Sequence, residues 1–241
     1  MVDVVRFFTK NDSRFNGKTN SQQGIMLHST DVRGVQADSW YDRWNKSGIG
    51  KSAHFFVDNT GIYHYMECNK RAAHSGGTAN DTHMAFEMCE PLYYDDEGYF
   101  IDCWHNAVSL CVRLCLQYGL TEKDIISHEE GHALGVASDH GDPMHWWKYY
   151  GKTMDDFRKD VAKKIKEEAK EVRYKYLSDI PDNWGAGEPR ATVKALMNAG
   201  VIVGNDGEGE NAVLDLSHDM LRMIIINYRA GAYDKAFSKE L

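Results

Sequence analysis

Gly24-Ile25-Met26-Leu27-His28-Ser29-Thr30-Asp31 is the stretch on which the fold turns. A short unbroken apolar run, stopped by a histidine and a polar segment, reads as a buried strand that delivers His28 at its C-terminal end. Open α/β sheets bind ligands beyond the carboxyl ends of their strands, so a histidine placed there is placed for chemistry. Downstream, Trp40, Tyr41 and Trp44 recur at helical spacing. Ser52 to Val57 and Ile62 to Met66 flank Asp58-Asn59-Thr60-Gly61, the pattern of a strand, a turn and a second strand. His83 to Cys89 alternates, with Met84, Phe86 and Met88 on one side and His83, Ala85, Glu87 and Cys89 on the other. Asp102 is expected to cap a helix that runs to about Tyr118, with Gly119 as its stop. Ile125-Ile126-Ser127 reads as a further short strand that ends at His128. Strands and helices in alternation predict an α/β domain, a central mixed β-sheet flanked by helices.

Beyond it the pattern changes. Thr153 to about Tyr176 reads as one helix, with Phe157, Val161 and Ile165 on a face, and it becomes dense in Lys and Glu after Ile165. From Leu177 come Pro181, Gly185, Gly187 and Pro189, then helical patterns over about Arg190 to Ala199 and Ser217 to Arg229. The expected organisation is a main domain over 1–165, a charged helical linker over 166–176 and a small, mainly helical C-terminal domain over 177–241. A unit of about 65 residues is near the size at which a single core is marginal.

The chain has 241 residues, 28 Lys and Arg against 36 Asp and Glu, a net charge of −8 and a hydrophobic share of 42%. That composition excludes wholesale disorder, and the acidic balance argues against a nucleic-acid partner. No apolar stretch approaches the roughly 18 residues of a membrane span. Met1 to Arg14 lacks the basic, apolar, small-residue succession of a signal peptide, so synthesis in the cytoplasm is expected. Five cysteines with no repeated C-x-x-C point to reduced thiols, with Cys111 and Cys115 buried on a helix face. The excess lies in histidine: of 11, four fall between His128 and His145, among aspartates.

Two metal readings compete for that segment. His128-Glu129-Glu130-Gly131-His132 spells H-E-x-x-H, which on a helix binds zinc and supplies the general base of a metallo-endopeptidase. The extended motif needs a histidine at 138, where Ser138 stands, and the preceding Thr121 to Ile126 is a poor helical stripe. In the second reading His28, His128 and a residue of Ser138-Asp139-His140-Gly141-Asp142-Pro143 converge on one ion. A catalytic zinc takes three N or O ligands and keeps a position open for water, whose pKa it lowers to about 7.

Ile25-Met26-Leu27-His28-Ser29-Thr30 is followed by Ser52-Ala53-His54-Phe55-Phe56-Val57-Asp58 with Gly61, then Ala73-His74-Ser75-Gly76, Ala85-Phe86-Glu87, and His128 with Asp142-Pro143-Met144-His145-Trp146. In this order and spacing, from about Gly24 to Trp147, the chain resembles the type 2 N-acetylmuramoyl-L-alanine amidases, a family that includes phage endolysins and peptidoglycan recognition proteins. The resemblance implies Zn2+ held by His28, His128 and Asp142, with Glu87 as the catalytic glutamate. Many members carry a lysine two residues before the third ligand; here it is His140, whose imidazolium would stabilise the oxyanion in a pH-dependent way. The longer spacing after His128 leaves Asp139 or His140 open as third ligand. His54 and His74 fall on positions near the substrate cleft. The implied substrate is bacterial peptidoglycan, cut between N-acetylmuramic acid and the L-alanine of the stem peptide by an enzyme that reaches the wall after release from the cell.

Each site residue also has a plainer reading. His28 and His128 could be hydrogen-bonded core histidines, Asp142 before Pro143 a turn residue, Glu87 half of a structural ion pair, and His54 and His74 structural histidines. His132 reads better as a solvated or outer histidine than as a ligand, and Trp146 and Trp147 as core. A peptidoglycan-recognition protein without catalysis is a further alternative. The C-terminal segment weakly resembles a single S-layer homology module in Leu177-Ser178-Asp179-Ile180-Pro181, Val193 to Leu196, Gly200-Val201-Ile202-Val203-Gly204 and Asp215-Leu216-Ser217. That resemblance implies a secondary cell-wall polymer as partner, with homo-oligomerisation or simple packing as the other readings. The acidic stretch Asp206 to Glu210 disfavours a DNA-binding helix-turn-helix.

Overall fold

The computed structural model describes residues 2–171, 173–182, 188–207 and 209–237. Gly185 and Gly187, read above as part of the change in character, lie outside the described residues. In chain order the elements are β1 (Val2–Val5), β2 (Gly24–Arg33), α1 (Ala37–Trp44), β3 (Phe55–Val57), β4 (Gly61–His64), α2 (Ala79–Thr82), β5 (His83–Glu90), α3 (Glu97–Tyr118), β6 (Ile125–Ser127), α4 (His128–Ala133), α5 (Met144–Trp147) and α6 (Met154–Glu171). They continue with β7 (Arg173–Tyr174), α7 (Pro189–Asn198), β8 (Leu216–Ser217), α8 (His218–Arg229) and α9 (Asp234–Phe237). The chain divides into two compact units, Met1–Leu116 with Leu120–Ala162, and Gln117–Gly119 with Lys163–Leu241.

In the first unit a six-stranded sheet has the order β1-β4-β3-β5-β2-β6. The β3–β4 pair is antiparallel and every other pair parallel, so the sheet is mixed. The register of β2 positions the site. His28 pairs with Glu87 of β5, and on the other side Leu27 pairs with Ser127 of β6. Paired residues of parallel strands project to the same face, so His28 stands beside Glu87 and next to the residue that follows β6, His128. Gly24 starts β2 because a Cβ there would lie 2.6 Å from the His83 ring and 2.9 Å from the Asp124 carbonyl oxygen.

Aromatic packing holds α1 on this sheet: Trp40 stacks on Phe56 at 5.7 Å and Trp44 meets it edge-on at 5.0 Å. Each such buried side chain contributes about 1.5–3 kcal/mol. Cys111 and Cys115 are buried on α3 with Ala107, Val108 and Leu114, and Trp146 and Trp147 are core. All five cysteines are buried thiols outside any disulfide.

Two element readings need correction. The third helix starts at Glu97, not Asp102, because Asp96 accepts the Tyr99 amide at 2.9 Å and caps it there. β5, an interior strand of the sheet, is buried from Met84 through Glu90, on both faces. The last long helix of the reading stops at Glu171 rather than about Tyr176, and Arg173–Tyr174 pairs with Leu216–Ser217 instead. In the second unit Leu177, Ile180, Val193, Leu214, Leu216, Leu221 and Ile225 form a small core of their own. No helix among the described residues is long and apolar enough to cross a membrane.

Candidate active site

Three donor atoms converge beside β2. His28 Nδ1 lies 3.0 Å from His128 Nδ1 and 3.1 Å from Asp142 Oδ2, and His128 Nδ1 lies 3.2 Å from Asp142 Oδ1. Zinc at 2.0–2.1 Å from N and O ligands in a tetrahedron would set donors about 3.3 Å apart, so the three sites are already near the edges such an ion needs. The outer nitrogens of both rings face hydrogen-bond partners, as ligating histidines require. His28 Nε2 meets His74 Nδ1 at 2.9 Å, and His128 Nε2 meets Ser138 Oγ at 3.3 Å. Burial would raise the Asp142 carboxyl, but the His128 and His28 rings that face it hold it far below the ordinary carboxylate range. Burial also lowers His28, and Asp142 opposes it. The donor set, two imidazoles and one carboxylate, fits a zinc ion.

Local sequence places each donor. His28 comes on the buried strand. His128 opens α4 because Ser127 and Glu130 form a capping box: Ser127 Oγ accepts the Glu130 amide at 3.0 Å and Glu130 Oε2 accepts the Ser127 amide at 3.0 Å. Arg158 ties that glutamate with bonds of 3.0 and 2.9 Å. Thus the letters that spell H-E-x-x-H also spell S-x-x-E, and the second pattern is the one the backbone uses. His132 is exposed, with its nearest carboxylate, Asp139, at 3.7 Å. The endopeptidase reading therefore lacks its second ligand, and Asp139 pairs with His132 rather than joining the donors.

Glu87 is 8% exposed. Burial and the Asp142 charge push its carboxyl well above the ordinary range, opposed by Lys51. His140 is exposed at the cleft, stacked on His128 at 4.7 Å, with Nδ1 3.1 Å from Ser138 Oγ. His28, Glu87, His74, His128, His140 and Asp142 all line one cleft of about 490 Å³, with Trp44 and Lys51 in its wall. His74 reaches it as a partner of His28, and burial holds its imidazole far below the ordinary value. The structure does not bring His54 there. It is fully buried, Nδ1 accepts the Ala85 amide and Nε2 donates to the Lys70 carbonyl, each at 2.9 Å. The expected substrate contact is corrected: both nitrogens are spent on the backbone, and burial lowers the imidazole to about 4.

The sequence reading missed a second cluster. Glu90, 1% exposed, accepts from His145 Nε2 at 3.0 Å, from the Tyr94 hydroxyl at 2.6 Å and from the Asp31 amide at 2.9 Å. The Glu90 bond raises the His145 pKa, against burial. Glu90 sits where the register of β2 and β5 shifts, so strand alternation gives no signal for it. A hollow of about 650 Å³ near Trp104 and Tyr149 is larger, but its His105 and carboxylates are in neither group of convergent donors among the described residues.

A mixed sheet that aims two imidazoles and a carboxylate at one point, beside a buried glutamate, defines an α/β domain with a candidate mononuclear metal site. Residues 18–145, more than half of the chain, match the family described as N-acetylmuramoyl-L-alanine amidase, and the chain belongs to that family. It is 30% identical over 146 residues to the N-acetylmuramoyl-L-alanine amidase CwlL of Bacillus licheniformis, a match covering 53% of this chain and 40% of that protein. A probable N-acetylmuramoyl-L-alanine amidase of the same organism is 28% identical over 178 residues, 67% of this chain and 48% of the relative. The matches thus span less than half the length of these curated relatives. A mutant endolysin from Bacillus subtilis has the same fold at a TM-score of 0.55 and 20% identity, covering 67% of this chain and 99% of that one. Staphylococcus aureus hydrolase AmiA, solved with its ligand, gives 0.60 and 17%, covering 71% and 87%.

Proposed function

We propose that the chain is a zinc-dependent N-acetylmuramoyl-L-alanine amidase, an endolysin-like enzyme that hydrolyses the amide between N-acetylmuramic acid and L-alanine in peptidoglycan. The observation that carries this reading is the convergence of His28 Nδ1, His128 Nδ1 and Asp142 beside Glu87. A zinc ion on those donors supplies Lewis acidity to the amide carbonyl and acidifies a water toward neutral pH. Glu87 takes the proton of the attacking water as its oxygen bonds to the carbonyl carbon. As the C–N bond breaks, Glu87 returns that proton to the leaving alanine nitrogen. A buried carboxyl whose charge is disfavoured accepts a proton readily, which suits the first transfer. His140, at the cleft beside the donors, is proposed to face the developing oxyanion, where an imidazolium donates a hydrogen bond. The family and the complete donor set favour an enzyme over a recognition protein without catalysis.

His28→Ala and Glu87→Ala are each expected to cut the clearing of purified walls by at least about 100-fold while the circular dichroism stays that of the wild type. Wild-type clearing by either variant would contradict the assignment. For the C-terminal unit we propose wall attachment through a secondary polymer, on its resemblance to the S-layer homology module. Full-length Glu87→Ala protein is expected to sediment with intact walls and to lose binding on walls stripped of that polymer. Equal binding to both would contradict it.

A further inference from the structure

We infer that Ser138 is a positioning residue, one hydroxyl that sets both the ligand ring of His128 and the cleft ring of His140. The inference rests on the metal-site reading above. Ser138 Oγ lies 3.3 Å from His128 Nε2, 3.1 Å from His140 Nδ1 and 3.0 Å from the Ser75 carbonyl oxygen. A serine hydroxyl has one proton and two lone pairs. The Ser75 carbonyl only accepts, so it takes the hydroxyl proton. Both lone pairs then receive N–H groups, from His128 Nε2 and from His140 Nδ1.

That inventory decides two tautomers. With its proton on Nε2, His128 keeps a free lone pair on Nδ1, the atom aimed at His28 and Asp142. With Nδ1 spent on Ser138, His140 has only Nε2 left for a substrate. The stacking of the two rings, 4.7 Å apart and 29° from parallel, follows from sharing one partner.

The backbone holds the hydroxyl in place. Ser138 also donates its amide to the Ser75 carbonyl at 2.8 Å, and the neighbouring Val136 carbonyl accepts the Ala79 amide at 3.0 Å. Gly76, at φ +67°, makes room, since a Cβ there would lie 2.8 Å from Ser138 Oγ. The segment that carries His74, the partner of His28, is therefore stitched to the segment that carries the partner of His128.

The test is zinc affinity by competition with a chromogenic chelator, together with imidazole nitrogen chemical shifts that report tautomers. Ser138→Ala is expected to weaken zinc binding about 10–100-fold and to lose the fixed Nε2–H form of His128. Ser138→Thr, which keeps the hydroxyl, is expected to restore most of the affinity. Gly76→Ala, which leaves the hydroxyl but crowds it, is expected to weaken binding as well and carries the test if Ser138→Ala does not fold. Wild-type affinity in Ser138→Ala, or equal loss in Ser138→Ala and Ser138→Thr, would overturn the assignment and leave the metal site standing. A wild-type protein that takes up no zinc would overturn the site reading and this inference with it.

Discussion

His28 and His128 lie a hundred residues apart, yet their Nδ1 atoms come within 3.0 Å. Both were legible because each closes a short apolar run, and a polar ring at the end of a buried strand needs a reason. Glu87 was legible on the same ground, as a carboxylate inside an apolar strand. His54 misled because its two backbone bonds leave no mark in sequence. His145 and Glu90 were invisible as a pair because their meeting is tertiary, 55 residues apart. That pair carries a pH prediction. The His145 pKa is raised above 6.5, so its stabilisation is complete below that value and is lost as pH rises through the folded pKa. Burial would raise the Glu90 carboxyl, but bonds from His145 and Tyr94 hold it below its ordinary 4.5, so its share is present above that value and lost as pH falls through the folded one. The urea midpoint of the wild type is expected to fall, relative to Glu90→Gln, as pH rises above the ordinary histidine value. Parallel slopes in the two proteins would contradict the pairing. The buried His54 and the half-buried His64, each near 4 because of desolvation, have the opposite sign and stabilise progressively as pH rises from there toward 6.5, so only the comparison isolates His145.

Elements place these residues through a few close approaches. Gly77 allows the segment after His74 to lie against the segment after α4; a Cβ there would sit 2.3 Å from the Val136 carbonyl oxygen and 2.7 Å from its carbon. Backbone cannot yield as a flexible side chain can, so Gly77→Ala is expected to cost about 1–3 kcal/mol, read as a lower melting temperature. An unchanged melting temperature would show that the two segments are not held together. The existence and order of strands were readable from apolar runs, because burial is written in composition. Boundaries were less so. The start of α3 depends on the Asp96 cap, and Asp102 offered the same cap chemistry six residues later. The role of Ser127 to His132 was ambiguous for a similar reason: a metal motif and a capping box overlap there, and the exposure of His132 decides between them.

At the scale of the molecule, the account requires that the folded protein, and not the unfolded chain, presents the complete donor set. Zinc should therefore stabilise it by mass action, by about 2.7 kcal/mol at a hundred times the dissociation constant. The melting temperature is expected to rise by several degrees on adding zinc, to fall back with a chelator, and to stay flat in Asp142→Ala. A rise of the same size in Asp142→Ala would place the ion elsewhere. The mixed α/β class of the main unit was legible from the alternation of strand and helix. Which bond is cut decides the reaction, and digestion of purified wall by the wild-type protein reads it. New L-alanine amino termini are expected to appear with the glycan strands intact. Release of internal peptide termini or new reducing ends, without alanine termini, would contradict it.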